Sequence, residues 1–448
     1  AVLDEGVKYT HPDLAANMWV NEGEVDGDGI DNDGDGYVDD IHGYNFVDDG
    51  PITWNVTKVI SGVPQSDSGH GTHVAGTVAA VNNNGIGVAG IAGGTGKGDG
   101  VRIMSCQIFS GTESTNDYST AQAVKYATDH GASILQCSYG YAQSNFTSDA
   151  AFEEESPLLC EALNYFFSKK NCDAIDGGIA VYAAGNNGAN SSNYPGGYRE
   201  CISVTAISPD YLPTYYTCYG AGCNIAAPGG ETIGFVGGER AGILSTVCSE
   251  TSKGEDYGYM QGTSMACPHV SGVAALGLSY ALAKGKHFTR EEFMSMLLTS
   301  VNDIDSRLEG IKNTGKKIDL EDYAGQMGTG LIDAYKLLMQ VEGTPCVTVT
   351  AKEVRIILTS IFGGSAKNLT YTKVSMSADD MNKLGIGKMP EMINGQLVFT
   401  CLNPGTARIS IKAIAGGTSA GSSAATGGKE ITKEFSIVSR ESANSRWL

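Results

Sequence analysis

Three short stretches hold side chains suited to nucleophilic acyl chemistry. In Gly262-Thr-Ser264-Met-Ala-Cys-Pro-His-Val-Ser-Gly272 a serine stands where an apolar, small-residue helical run begins. Met265, Ala266, Val270, Val273, Ala274, Ala275 and Leu276 crowd too much of that run for an exposed helix, so burial is expected. A serine in the first turn of a buried helix sits beside unpaired backbone N–H groups and the positive end of the helix dipole, where an oxyanion can develop. By itself, such a serine reads more simply as an N-cap. Two other residues change that reading. Asp4 ends the apolar run Ala1-Val-Leu-Asp4, and His70 in Asp67-Ser-Gly-His70-Gly-Thr-His73-Val-Ala-Gly76 opens a small-residue helical pattern that stops at Asn82-Asn-Asn-Gly85. A neutral serine is a weak nucleophile and needs a base of pKa about 7 within hydrogen-bonding reach. That base needs a buried carboxylate to fix its tautomer and stabilise the imidazolium. His70 and His73 also form an H-x-x-H, but no glutamate occupies the position a zinc-protease helix requires.

These residues depend on the elements that carry them. Buried apolar runs fit strands over 1–4, 101–108, 132–137, 178–184, 201–207 and 224–227. Helical patterns fall at 119–130, 157–168, 290–299 and 331–339, besides the runs opening at His70 and Ser264. Strands alternating with helices predict an α/β fold of three layers, a parallel sheet covered on both faces. Strand ends and helix starts gather at one edge of such a sheet, which is where Asp4, His70 and Ser264 are expected to meet. Beyond about residue 343 the hydrophobic period changes to two: Ile409, Ile411 and Ala413 alternate with Arg408, Ser410 and Lys412. Similar runs lie at 346–351, 354–360, 369–376, 396–401 and 431–438, with a turn at Asn403-Pro-Gly405 and low complexity over 416–428. The expected organisation is an α/β catalytic domain over 1–342 and a small all-β, immunoglobulin-like sandwich over 343–448.

The chain of 448 residues is 41% hydrophobic and lacks an apolar run of 18 residues, so no membrane span is expected. A net charge of −20 argues against nucleic acid as a partner. That charge is concentrated: the first fifty residues hold fourteen acids against one base, Lys8, which points to cation binding there. From Asp31 the run resembles the start of an EF-hand loop, with Asp31, Asp33, Asp35 and Asp39 at positions 1, 3, 5 and 9 and Gly36 at position 6. Position 12 is His42 instead of glutamate and the flanks are not helical, so the expectation is a calcium loop without an EF-hand. Eleven cysteines leave at least one thiol unpaired. Cys106, Cys137 and Cys267 read as core residues, whereas Cys160 with Cys172, Cys218 with Cys223, and Cys346 with Cys401 are open as disulfide pairs. The chain opens directly on a buried strand, so a preceding segment is expected to be missing.

Leu3-Asp4-x-Gly6 with His11-Pro-Asp-Leu14, His70-Gly-Thr-His-Val-Ala-Gly76 and Gly262-Thr-Ser-Met-Ala-Cys-Pro-His-Val-Ser-Gly272 resemble the three active-site signatures of the subtilisin-like serine proteases (subtilases), in that family's order. The resemblance covers roughly residues 1–340. It implies a serine endopeptidase with Ser264 as nucleophile, His70 as general base then acid, and Asp4 as the orienting carboxylate. Val181-Tyr-Ala-Ala-Gly-Asn186 is similar to the family's oxyanion-hole segment, which assigns Asn186 that role. By the same resemblance Ser138, Tyr139 and Gly140, with Ala183, Ala184 and Gly185, would bind substrate peptide as an added strand. It further implies structural calcium at Asp13 and the 82–88 loop (Asn84, Ile86 and Val88), protein or peptide substrates, an N-terminal propeptide, and a secreted, periplasmic or cell-envelope location. Glu5 stands where the family usually has Ser or Thr, removing a hydroxyl that would bond the Asp4 carboxylate and adding a negative charge. Gln261 stands where Asn is frequent. The alternative is a catalytically silent binding protein on the same scaffold, but such proteins usually lose a triad residue and this chain keeps all three.

Overall fold

The alternation of one short strand decides which face of the sheet carries the chemistry. In the computed structural model, Val2–Glu5 (β1) turns Leu3 to one face and Val2 and Asp4 to the other. Leu3 shares a core cluster with Ala121 and Val124 of the Asp117–Asp129 helix and with Leu163 and Phe166 of the Pro157–Ser168 helix. Val2 clusters instead with Ala75 and Val78 of the His70–Ala79 helix. Each of these fully buried Leu, Val and Phe side chains contributes about 1.5–3 kcal/mol, and the split between the clusters puts Asp4 on the His70 side.

The structure describes residues 1–448 apart from 55–58, 61–62, 65–66, 112, 115, 142–145, 147, 251–253, 345, 350–351, 359–360, 362–368, 404, 416–428 and 440–448. They fall into two compact units, Ala1–Ala334 and Tyr335–Leu448. The first is built on a sheet to which β1 contributes with Gly43–Asn45 (β2), Ser105–Ser110 (β3), Ile134–Cys137 (β4), Ile179–Ala183 (β5), Ile202–Ile207 (β6), Ile225–Pro228 (β7), Val301–Asn302 (β8) and Leu331–Ile332 (β9). Their order across the sheet is β8-β9-β7-β6-β5-β4-β1-β3-β2, and Glu113–Ser114 pairs with β3 off this path. Neighbours run parallel except at β8–β9 and at the Glu113–Ser114 pairing. One face takes the Asp117–Asp129 and Pro157–Ser168 helices, and the other takes the His70–Ala79 and Thr263–Ala283 helices. This is the expected α/β arrangement.

The Thr263–Ala283 helix is long and apolar enough, by length and composition, to cross a membrane, yet 67% of its most apolar window is buried. Its hydropathy is that of a central core helix. The helical pattern expected over 331–339 divides: Leu331–Ile332 is β9, which pairs with β7 and β8, and the helix is Ala334–Glu342. The compact units therefore divide near the start of that helix, eight residues before the expected boundary at 342/343.

In the second unit, Cys346–Val349, Leu369–Met376, Gly405–Ala415 and Lys429–Ser439 form a four-stranded sheet, and Glu353–Ile357, Glu391–Ile393 and Gln396–Thr400 form a three-stranded one. Val354, Leu397 and Phe399 of the smaller sheet share one apolar cluster with Ile409, Ile411, Phe435 and Ile437 of the larger. A short helix, Ala378–Leu384, was not legible in the period-two pattern. The low-complexity stretch 416–428 lies outside the described residues.

Ten cysteines, Cys160, Cys172, Cys218, Cys223 and Cys401 among them, are free thiols. The disulfide pairings left open by spacing are not formed among the described residues: Cys218 Sγ donates to Asn187 Oδ1 at 2.8 Å and Cys160 Sγ to Phe152 O at 3.8 Å. The Cys346 side chain lies outside them.

Candidate active site

Asp4, almost fully buried at the end of β1, accepts a hydrogen bond from His70 Nδ1–H at 2.7 Å on Oδ1. The same oxygen accepts the backbone N–H of Glu5 at 2.7 Å. Oδ2 is buried and has no hydrogen-bond partner among the described residues. His70 opens its helix, with Gly69 as N-cap at φ +81°, a left-handed conformation that suits glycine. Gly71 follows because the helix rests on the end of β1: a Cβ there would lie 2.1 Å from Glu5 O. The imidazole is 27% exposed. Burial pulls its pKa down, but the charge and hydrogen bond of Asp4 and the charge of Glu5 outweigh that and raise it to about 9. His73, one turn along, is different. Nε2 lies 2.9 Å from Ile243 O, and burial drives its pKa down to about 4, so it is a neutral packing residue.

Ser264 sits in the first turn of the Thr263–Ala283 helix, whose N-cap, Gly262, adopts φ +148° and is held by a hydrogen bond from its N–H to Gly229 O at 3.0 Å, just beyond β7. Pro268 lies inside that helix and has no N–H to give to the carbonyl four residues earlier, which is Ser264 O. Ser138 Oγ supplies the missing donor at 2.7 Å, and Ser264 Oγ donates to Ser138 O at 3.1 Å. Two reciprocal bonds thus join the nucleophile candidate to the segment following β4. Among the described residues His70 Nε2 has no hydrogen-bond partner. His70 and Met265, the neighbour of Ser264, line one cleft with Thr232, Tyr259, Met260 and Gln261. Gln261 helps to shape that cleft by accepting Thr232 N–H at 2.5 Å and donating to Tyr215 OH at 3.2 Å.

Asn186 follows β5 and is exposed. Its Oδ1 accepts the Thr263 N–H at 2.8 Å and the Thr263 hydroxyl at 3.0 Å. A backbone N–H can only donate, so the amide oxygen must face it, which leaves the Nδ2 donors without a partner among the described residues. The substrate-segment residues lie on two adjacent parallel strand ends. Ser138, Tyr139 and Gly140 continue from β4; Ala183 ends β5, and Ala184 and Gly185 follow it. Gly185, at φ +116°, donates to Thr263 Oγ1 at 3.2 Å, and a Cβ there would meet Asn193 and Cys218 within 3 Å. Asp4 and His70 thus pair where β1 ends and one helix begins, Ser138, Asn186 and Ser264 lie where β4 and β5 end and the other begins, and the cleft lined by His70 and Met265 runs between the two helix starts.

The metal-ligand candidates fall into two groups. Asp13 is fully buried and joins no salt bridge to a cationic side chain among the described residues. Its Oδ1 accepts Asn84 Nδ2 at 2.6 Å and Oδ2 accepts Val88 N–H at 2.9 Å, while Ile86 N–H donates to Asn84 Oδ1 at 3.1 Å. Gly87 lets the backbone close over the carboxylate, since a Cβ would stand 2.2 Å from Asp13 Oδ2. The carboxylate is thus met by N–H donors, while Asp13 and Asn84 also bring to this loop the side-chain oxygens that a hard cation such as calcium takes. In the acidic loop, carboxylate oxygens of Asp31 and Asp33 lie within 4.8 Å of each other and of Glu24. Glu24 was missed because it precedes the motif. Asp33 also forms a second group with Asp35 and with His130, which the sequence reading did not include and whose Nε2 lies 2.8 Å from Asp35, and Asp39 accepts Gly29 N–H at 3.1 Å.

Comparisons with known proteins converge on one family. A sequence model of the subtilase family matches residues 1–323. Halolysin of Haloferax mediterranei is 33% identical over 279 residues, an alignment taking in 62% of this chain and 41% of that protein. Thermitase of Thermoactinomyces vulgaris is 31% identical over 276 residues, covering 62% of this chain and 73% of its own. A thermophilic serine proteinase of a Bacillus species is 32% identical, with 51% of its length covered. The chain thus spans about half the length of halolysin and of the Bacillus proteinase. Among solved structures, a protease from Pseudoalteromonas arctica superposes with a TM-score of 0.55 at 26% identity, over 76% of this chain and 88% of that one.

Proposed function

We propose, since the chain belongs to the subtilase family, that it is a serine endopeptidase acting through Ser264, His70 and Asp4. The observation that carries this reading is the 2.7 Å bond from His70 Nδ1–H to a buried Asp4 carboxylate, which leaves Nε2 as the basic nitrogen. In the reaction Ser264 Oγ turns from Ser138 O toward Nε2, gives up its proton and attacks the scissile carbonyl. The imidazolium, stabilised by Asp4, then protonates the leaving amine, and water drawn through the same base releases the acyl group. Asn186 Nδ2 and the Ser264 N–H are the donors assigned to the oxyanion, and the Ser138–Gly140 and Ala183–Gly185 segments hold the peptide as an added strand. A fluorophosphonate probe tests the reading: folded, calcium-loaded protein is expected to be labelled stoichiometrically at Ser264, and failure to label it defeats the proposal.

Calcium is assigned a structural role, held by Asp13 with Asn84, Ile86 and Val88, and by the acidic loop through Asp31, Asp33, Asp35 and Asp39 with Glu24. Bound there, it would neutralise crowded carboxylates and take no part in bond breaking. A cation bound only by the folded state raises stability by about 2.7 kcal/mol at a hundred times its Kd. EDTA is therefore expected to lower Tm by several degrees, reversibly with added calcium. An unchanged Tm in scanning calorimetry would count against these sites.

We further read 1–342 as the catalytic domain and 343–448 as an immunoglobulin-like sandwich. The shared core of the two small sheets supports a sandwich, and no assigned catalytic residue lies in it. Protein or peptide substrates, an N-terminal propeptide, absence of a membrane span and a secreted, periplasmic or cell-envelope location accompany the endopeptidase reading.

A further inference from the structure

Glu5 is a buried carboxylate, 8% exposed, directly beside Asp4. It accepts the His70 N–H at 2.9 Å, the Ser68 N–H at 3.1 Å and the Ser68 hydroxyl at 3.1 Å. These are donors at the start of the histidine helix, and the helix N-cap, Gly69, has no side chain to offer them. A negative charge at that end of a helix also opposes the positive pole of its dipole. The adjacent Asp4 Oδ2 is left without a partner among the described residues, where a hydroxyl-bearing residue at position 5 would have a donor to give. The side chain at position 5 therefore holds the start of the helix and gives Asp4 Oδ2 no donor.

We propose that Glu5 is a positioning residue, capping the first turn that carries His70 and adding its charge to that of Asp4 in support of the imidazolium. The inference rests on the reading of His70 as general base. The charged or titratable groups that act on the imidazole are Asp4 and Glu5 from β1 and His73 from its own helix, while Glu239 lines the cleft on its open side. His73 is neutral, so the two β1 carboxylates set the field. Glu5 itself is held above the usual carboxylate range by burial and by the charge of Asp4, against the hydrogen bonds it accepts.

The test compares the acid limb of kcat/KM in the full chain for wild type, Glu5→Gln and Glu5→Asp, using a small peptide substrate. Removing a nearby negative charge makes the imidazolium harder to form, so the limb of Glu5→Gln is expected to move to lower pH by about half a unit or more. Its plateau should fall about threefold, the same displacement expressed as a rate. Glu5→Asp keeps the charge and should restore the limb while lowering Tm, because the shorter side chain reaches fewer of the three donors. Three superimposable limbs, with Tm alone changed, would reduce Glu5 to a structural cap and overturn the proposal. Should Glu5→Gln not fold, Glu5→Ser is measured in its place, with the same acid shift expected. Probe labelling of wild type keeps the two readings apart: an unlabelled wild type sinks the endopeptidase assignment, whereas a labelled enzyme with unmoved limbs sinks only the role of Glu5.

Discussion

Ser264→Ala is expected to lower kcat/KM by about 10⁶-fold, roughly 8 kcal/mol of transition-state stabilisation, while the protein stays folded. The two halves of that expectation rest on different observations. The chemical half follows from the roles assigned: without Oγ no acyl-enzyme forms, and His70 and Asp4 have no proton transfer to perform. What remains is the field of the oxyanion donors and substrate binding, which can still act on an attacking water. The structural half follows from what Oγ does at rest. It is half-buried and makes one hydrogen bond, to Ser138 O at 3.1 Å, whose loss costs about 0.5–1.5 kcal/mol. The reciprocal bond from Ser138 Oγ to Ser264 O uses backbone and survives the change. The helix start is likewise untouched, because Gly262 is the N-cap and Oγ caps nothing. Hydrolysis of a chromogenic peptide, read beside thermal melts monitored by circular dichroism, checks both halves. Retained activity above about 1% in protein free of other proteases would place the nucleophile elsewhere, and a collapsed melt would mean that Ser264 holds the helix after all.

The parts of this site written locally were readable from residue types alone. A serine opening a buried helix, a histidine opening a second and an aspartate ending a strand are each short-range patterns. The α/β sheet follows from apolar runs bounded by helical ones. Less legible were features set by contacts between distant segments. Leu331 and Ile332 look helical within their own stretch, but β7 and β8 offer them strand partners, and pairing overrode the pattern. Glu24 lies outside the Asp-rich motif and joins it only because the loop folds back to bring its carboxylate onto the Asn32 and Asp33 amides. The Pro268–Ser264–Ser138 linkage combines a missing helix donor, visible in sequence, with a hydroxyl 126 residues away that nothing local identifies. Glu5 shows the same limit. Its charge beside Asp4 is plain in sequence, whereas its service as a cap for the helix bearing His70 depends on where the 68–70 segment lands.

Asp4→Asn should cost about 10³–10⁴-fold in kcat/KM, and the structure indicates which part of the carboxylate's work is lost. An amide facing a histidine can donate to Nδ1 and force the proton onto Nε2, where it blocks the base. Here Oδ1 also accepts the Glu5 N–H at 2.7 Å, and that N–H can only donate. The oxygen of the new amide is therefore held at the same place, facing both Glu5 N–H and His70 Nδ1–H, and the useful tautomer is favoured. What disappears is the charge. The imidazolium loses its principal partner, and the pKa of His70, raised to about 9 in the wild type, falls because burial then acts with less opposition. The acid limb of kcat/KM should accordingly move to lower pH by more than it does in Glu5→Gln, while the plateau drops far further. Stability gives a second readout with a definite sign. Because the folded-state pKa of His70 is raised, the pair with Asp4 stabilises the fold fully below the ordinary imidazole value of about 6.5 and loses that contribution as pH rises through about 9. The Tm deficit of Asp4→Asn should therefore be greatest near pH 6 and shrink in alkaline buffer, with its size reduced by solvent screening at the partly exposed ring. A deficit that grows with pH, or a plateau within tenfold of wild type, would remove Asp4 from the triad.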